Sequence, residues 1–300
     1  MRVLVTGATG HLGSAVVPEL LSHGHEVVGL ARSENSAAKL KEQGAEVHLG
    51  DLDDLAGLTA VSSTVDGVIH LAFKHDLMIT GDFEGAIEAD LAAIAALADG
   101  LAGSGKPFVG TTGTLMTIGT VDRTATEDDP AGQNPRGKAE NAVLALAERG
   151  IRSSVVRLPP TVHSDLDKHG FIRLLIATAR QHGKSGYLGD GGNRWPAGHT
   201  LDAARLYRLA LEQAPAGSRL NAVGDEGVPF REIAEVIGRH LDVPVVQIPD
   251  AEAAAHFGFL ASVVPLDNPT SAKLTRERVG WEPVGPGLIA DLDAGHYFQD

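Results

Sequence analysis

The feature that most constrains this chain is the join between its first apolar run and its first amphipathic segment. Val3-Leu4-Val5 leads into Thr6-Gly7-Ala8-Thr9-Gly10-His11-Leu12-Gly13, after which Val16, Val17, Leu20 and Leu21 continue one helical stripe begun by Leu12. Strand, glycine turn and helix are therefore written consecutively. Gly7 permits the tight turn, Gly10 lets a pyrophosphate approach the backbone, and Gly13 lets the helix sit close to the strand. The helix N-terminus then faces the phosphates, with Thr9, His11 and Leu12 completing the loop. No Gly-Lys-Ser/Thr follows, which excludes a Walker loop.

From Arg2 to about Val155, β-rich runs alternate with segments of helical period, the pattern of right-handed βαβ units around a parallel sheet. Strands are expected at about 2–6, 26–30, 46–49, 67–71, 107–111 and 153–157. Helices are expected near 11–23, 34–43, 53–62, 82–103 and 136–149. After Pro159-Pro160 the alternation fades, and helical segments near 169–181, 201–213, 229–240, 251–262 and 286–297 are separated by Gly- and Pro-rich links. The expected fold is α/β, a Rossmann-type doubly wound parallel sheet over 1–162 with a smaller C-terminal substrate lobe over 163–300. The segment around 200–222 is a candidate to return to the first domain. Such a lobe would cover the carboxyl ends of the strands, where open parallel sheets bind ligands.

Charge and composition narrow the partners. With 39 acidic against 25 basic residues and a net charge of −14, the surface repels a phosphate backbone, so nucleic acid is not expected. The absence of cysteine removes disulfides, thiolate metal ligands and cysteine nucleophiles, and agrees with the cytoplasmic location we expect. The histidines lack metal-ligand spacing, and no apolar run reaches membrane-spanning length, so neither a metal nor a membrane is expected. A small molecule remains as the expected partner.

The second strand should end where a carboxylate would meet the ribose 2′-hydroxyl of NAD. Ala31 stands there, followed by Arg32 and Ser33, a cation and a hydroxyl suited to a 2′-phosphate, so NADP(H) is expected in preference to NAD(H). Gly50-Asp51-Leu52 and Leu71-Ala72-Phe73, at the ends of the third and fourth strands, are the expected adenine and ribose wall. Asp51 either accepts from the adenine amino group or caps the following helix.

These residues, together with Thr111-Thr112, Lys138-Ala139-Glu140 and Arg157-Leu158-Pro159-Pro160-Thr161-Val162, resemble the extended and atypical short-chain dehydrogenases/reductases, including proteins labelled epimerases or dehydratases. The resemblance is specific over roughly the first 165 residues and looser beyond. It implies cofactor contacts at Thr111, Lys138, Leu158, Pro159, Pro160 and Val162, catalytic roles for Thr112, Lys138 and Asp90, and a homodimer through helices 82–103 and 136–149. The family's Tyr-x-x-x-Lys motif is incomplete, because Asn134 stands where the tyrosine would be and no tyrosine lies between Leu97 and Gly186. The family's proton donor is thereby missing, a loss shared by isoflavone-reductase-like members.

Donors left open are Thr112 or Thr114 through water, Lys138, His163, His169 and Tyr187. In the second half, Asp190 to His199 combines glycines with Arg194, Trp195 and His199, and reads as a pocket wall. Substrate contacts are accordingly expected at Thr114, His163, Tyr187, Trp195 and His199. The expected activity is NADP(H)-dependent reduction of a small ketone, aldehyde or related carbonyl. Nucleotide-sugar epimerisation or dehydration, and a non-catalytic NADP(H) sensor, are the alternatives.

Overall fold

The computed structural model describes residues 1–119, 121–132 and 134–299. The β-rich runs of the first half form β1 (Arg2–Thr6), β2 (Glu26–Ala31), β3 (Glu46–Leu49), β4 (Gly67–His70), β5 (Pro107–Gly113) and β6 (Arg152–Leu158). Between them lie α1 (Gly13–Ser22), α2 (Glu34–Glu42), α3 (Leu55–Ser63), α4 (His75–Ile79), α5 (Phe83–Asp99) and α6 (Gly137–Ala145). The second half adds β7 (Thr161–His163), α7 (Phe171–His182), β8 (Ser185–Tyr187), β9 (Arg194–His199), α8 (Thr200–Gln213) and β10 (Ser218–Asn221). It closes with β11 (Asp225–Pro229), α9 (Phe230–Leu241), β12 (Val245–Gln247), α10 (Ala253–Phe257), α11 (Lys273–Val279) and α12 (Leu288–Asp293).

Seven strands form one parallel sheet in the order β3-β2-β1-β4-β5-β6-β10, the doubly wound arrangement. The chain thus returns to the large sheet with β10, while α8 packs on it beside α1. Because side chains alternate across a strand, each strand feeds two cores. Val3, Val5, Val27, Ile69, Val109 and Val156 pack beneath α1 and α8. Leu4, Val28, Val68, Phe108 and Val155 pack beneath α3, α5 and α6. A third core joins α7, α9 and α12 around Trp195.

Several expectations for the second half need correction. The helix expected over 251–262 shrinks to α10, flanked by 3₁₀ turns, with Gly258 at a positive φ of 57° ending it. The helix expected over 286–297 shortens to α12. Arg194–His199, read from the sequence as part of a pocket wall, forms β9, the centre of a three-stranded sheet between β11 and β7. No helix among the described residues is long and apolar enough to cross a membrane.

Between β5, β6, β10 and α6 lies a fully buried ion pair. Arg157 donates from Nε (2.8 Å) and Nη2 (2.5 Å) to the two oxygens of Glu140, neither side chain being exposed. Arg219 of β10 adds a bond of 2.8 Å to Glu140, the Thr112 hydroxyl donates to it at 3.2 Å, and Arg157 reaches the Asp129 carbonyl. Burial opposes ionisation of Glu140, but hydrogen bonds and charge from Arg157 and Arg219 outweigh it and hold the carboxyl below its ordinary 4.5. Removing one partner strands the other charge in the core. Glu140→Ala should therefore cost about 3–5 kcal/mol in denaturant unfolding. In the wild type, this group's contribution is complete above pH 4.5 and is lost as pH falls below it. Glu140→Gln should flatten the fall of stability on acidification, and an unchanged acid slope would contradict this account.

Candidate functional site

The glycine loop is shaped by close approach. Gly7 has φ 66°, and a Cβ there would lie 2.9 Å from the Ala72 amide nitrogen. A Cβ at Gly13 would fall 2.2 Å from the Gly7 carbonyl oxygen, so α1 can begin here only on glycine. The loop closes on itself through the Gly10 N–H to the Gly7 carbonyl at 3.0 Å. Helix α1 starts with no side-chain cap and no acid in its first turn. The Ser14, Ala15 and Val16 amides bond the Gly10 and Leu12 carbonyls, so it is the positive dipole end of the helix that can meet an anion. Thr9 and Gly10 are exposed, Leu12 packs against the large core, and the His11 ring turns to the Thr200 hydroxyl at 2.9 Å. Burial lowers the His11 pKa. These features fit the pyrophosphate of a dinucleotide, held by the loop and the start of α1.

The flanking residues line the carboxyl ends of neighbouring strands. Arg32 is exposed after β2 and has no hydrogen-bond or ion-pair partner among the described residues. The Ser33 hydroxyl caps α2 by accepting from the Ser36 amide at 3.2 Å. Asp51 accepts from the Asp53 amide at 2.8 Å, and Leu52 is buried. Leu71 and Ala72 donate their amides to the Thr6 hydroxyl, both at 3.2 Å, which stitches β4 to β1. Leu158 packs against the large core, and Pro159 and Pro160 carry the chain into β7, where Val162 pairs with Gly198.

Register and parity decide where the expected catalytic groups point. Thr111 faces α8: its hydroxyl donates to the His70 carbonyl at 2.7 Å and lies 2.8 Å from the Tyr207 hydroxyl. Tyr207 is fully buried, and burial pushes its pKa up. Thr112 faces the opposite way, onto Glu140. Lys138, in the first turn of α6, is exposed and has no ion-pair or hydrogen-bond partner among the described residues. Asp90 of α5 is 4% exposed and sits 3.1 Å from Nε2 of His70, whose Nδ1 is 2.7 Å from the Thr6 hydroxyl.

Sequence reasoning did not single out this Thr6–His70–Asp90 chain. Alternation was the available signal, since Thr6 shares parity with Leu4 and pairs in register with His70. It also passed over Arg136, two residues before Lys138. The Arg136 guanidinium lies over the Phe73 ring, 3.9 Å from its centroid, near Asp90 and the Tyr207 phenol. Burial lowers the Arg136 pKa, while burial and the Arg136 charge lower that of His75, whose ring meets Phe73 edge-on.

The expected substrate residues are not gathered at one place. Thr114 donates to the Asn268 side chain at 2.7 Å. Tyr187 lies in β8, paired with β12 and overlain by Arg231. Trp195 is fully buried between Phe171 and Phe230, so its expected place in a pocket wall gives way to a core position. His163 donates from Nδ1 to Asp291 at 2.8 Å, and with His199 it lines a cavity of about 110 Å³ bordered by Asp202, Asp225 and Gly285. His169 is exposed, its amide on Asp167.

The curated relatives include an uncharacterized protein of Schizosaccharomyces pombe, 45% identical over 99% of this chain and 100% of its own length. A sterol-4-alpha-carboxylate 3-dehydrogenase, decarboxylating, of Dictyostelium discoideum is 27% identical over 77% of this chain and 74% of its own. A 2-alkyl-3-oxoalkanoate reductase of Stenotrophomonas maltophilia is 26% identical over 82% and 77%. Among solved structures, dTDP-glucose 4,6-dehydratase of Streptomyces venezuelae with NAD and TYD bound superimposes with a TM-score of 0.77 at 20% identity, over 98% of this chain and 96% of that one. This last likeness carries the fold alone. Residues 3–222 match the NAD dependent epimerase/dehydratase family across the glycine loop, Lys138 and the seventh strand, and the chain belongs to that family.

Proposed function

We propose that this chain is an NADP(H)-dependent oxidoreductase that reduces a ketone or aldehyde of a small molecule. The observation that carries the reading is the glycine cradle at the uncapped start of α1, with the unpartnered Arg32 beside it at the end of β2. NADPH, when bound, supplies the hydride. The sterol-4-alpha-carboxylate dehydrogenase and the 3-oxoalkanoate reductase among the relatives bear names of redox chemistry at a carbon–oxygen centre.

The family resemblance assigns Lys138 to the nicotinamide ribose, and its exposed ammonium, at the carboxyl end of the sheet, leaves it available to hold that sugar. With no tyrosine four residues earlier, the same ammonium is our candidate to deliver a proton to the carbonyl oxygen, directly or through one water. The carbonyl gains hydride and proton, and the neutral amine recovers its proton from solvent. Thr112 and Thr114 are held by Glu140 and Asn268, and His163 by Asp291, which makes each a poorer donor. The Thr6–His70–Asp90 chain ties α5 to β4 and β1.

Two measurements test the reading. Arg32→Ala should weaken NADPH binding about tenfold or more, the worth of a charge-assisted hydrogen bond, with little effect on NADH. Equal losses in a calorimetric titration, or tighter wild-type binding of NADH, would remove the NADP preference. Lys138→Ala should lower single-turnover NADPH oxidation about 100-fold or more with the fold intact, whereas Asn134→Ala should change it little. A wild-type rate in Lys138→Ala would exclude the lysine from the chemistry.

A further inference from the structure

Arg136 is a cation without an acceptor. Among the described residues its side chain makes no hydrogen bond and no ion pair, and its Nε is sealed from solvent with no partner. A buried donor left unmade costs about 1–3 kcal/mol, so its persistence calls for a purpose. The guanidinium carbon lies over the Phe73 ring, 3.9 Å from its centroid, and Nη1 and Nη2 make no hydrogen bond among the described residues. Asp90 is the neighbouring negative charge, and its Oδ1 is already engaged by His70. Lys138, two residues further on and also unpartnered among the described residues, adds a second positive charge.

On these grounds, and resting on the reductase reading, we infer that Arg136 is a specificity-determining anion receptor: the substrate carries a carboxylate that Arg136 grips edge-on, presenting the neighbouring carbonyl to Lys138. A planar guanidinium backed by an aromatic ring matches the two oxygens of a carboxylate bidentately, which lysine cannot do. Anchoring one end of a small molecule fixes the distance of the other from the hydride, and positional error of about 1 Å costs roughly 100-fold. The site is accordingly expected to favour oxo acids over uncharged ketones.

The probes are pyruvate, acetoacetate and levulinate, each beside its methyl ester, which vary the spacing between carboxylate and carbonyl. In wild type, at least one acid should bind the NADP⁺-saturated protein by calorimetry and be reduced by NADPH about 10-fold or more faster than its ester. In Arg136→Met that preference should be lost, acid and ester being reduced at similar rates, and acid binding should disappear, with Arg136→Lys intermediate. Arg136-dependent acid binding without NADPH oxidation would remove the reductase reading and leave the receptor standing. Esters reduced as fast as acids, or no acid bound at all, would overturn the receptor. A loss of NADPH binding in Arg136→Met as large as the loss of acid binding would also overturn it, by assigning Arg136 to the cofactor. A lowered thermal midpoint with unchanged acid preference would reduce Arg136 to a packing role.

Discussion

The bidentate pair between Arg157 and Glu140 is the constraint on which the rest of the site depends. It lies where β5, β6 and β10 meet α6, with every atom shielded from water. Such a pair contributes little net stability against an apolar alternative, but its geometry is unforgiving, since a shifted helix would break two charged bonds at once. It therefore sets the height and rotation of α6. The first turn of that helix, with Arg136 and Lys138 on either side of Gly137, is presented to the ends of β4 and β5 at a fixed position.

That arrangement also explains why Thr112 faces inward. Strand parity places Thr112 and Arg157 on the α6 side and Thr111 on the α8 side, so two adjacent hydroxyls serve different layers. One belongs to the ion-pair assembly. The other joins Tyr207 to the backbone of β4. Adjacent threonines in the sequence carry no mark of this division until the neighbouring strand's register is known.

The first half of the chain was legible because β1, β2 and β4 are buried on both faces and read as short apolar runs, with glycine or capping residues near their ends. The glycine loop was legible for the same reason: the clashes that a Cβ would make at Gly7 and Gly13 restrict the residue type directly. Much of the second half was not. The strands β7, β8 and β12 span three residues each, too short for any period to register. The seventh strand, Ser-Arg-Leu-Asn, has one apolar residue and owes its place to β6. Arg194–His199 hid behind a proline and a glycine, although Trp195 and Ala197 alternate inward as in any strand. Arg136 was invisible for a different reason, because its meaning depends on an absent partner, and a sequence shows residues and not the bonds they fail to make.

The Thr6 hydroxyl accepts two amides, from Leu71 and Ala72, which occupies both of its lone pairs. Among the described residues its own hydrogen is then left for Nδ1 of His70. An imidazole nitrogen that accepts a hydrogen cannot also bear one, so His70 carries its hydrogen on Nε2 and donates it to Asp90. The backbone stitch between β1 and β4 thus selects a tautomer, and every hydrogen in the chain runs one way, from the centre of the sheet outward to the carboxylate of α5.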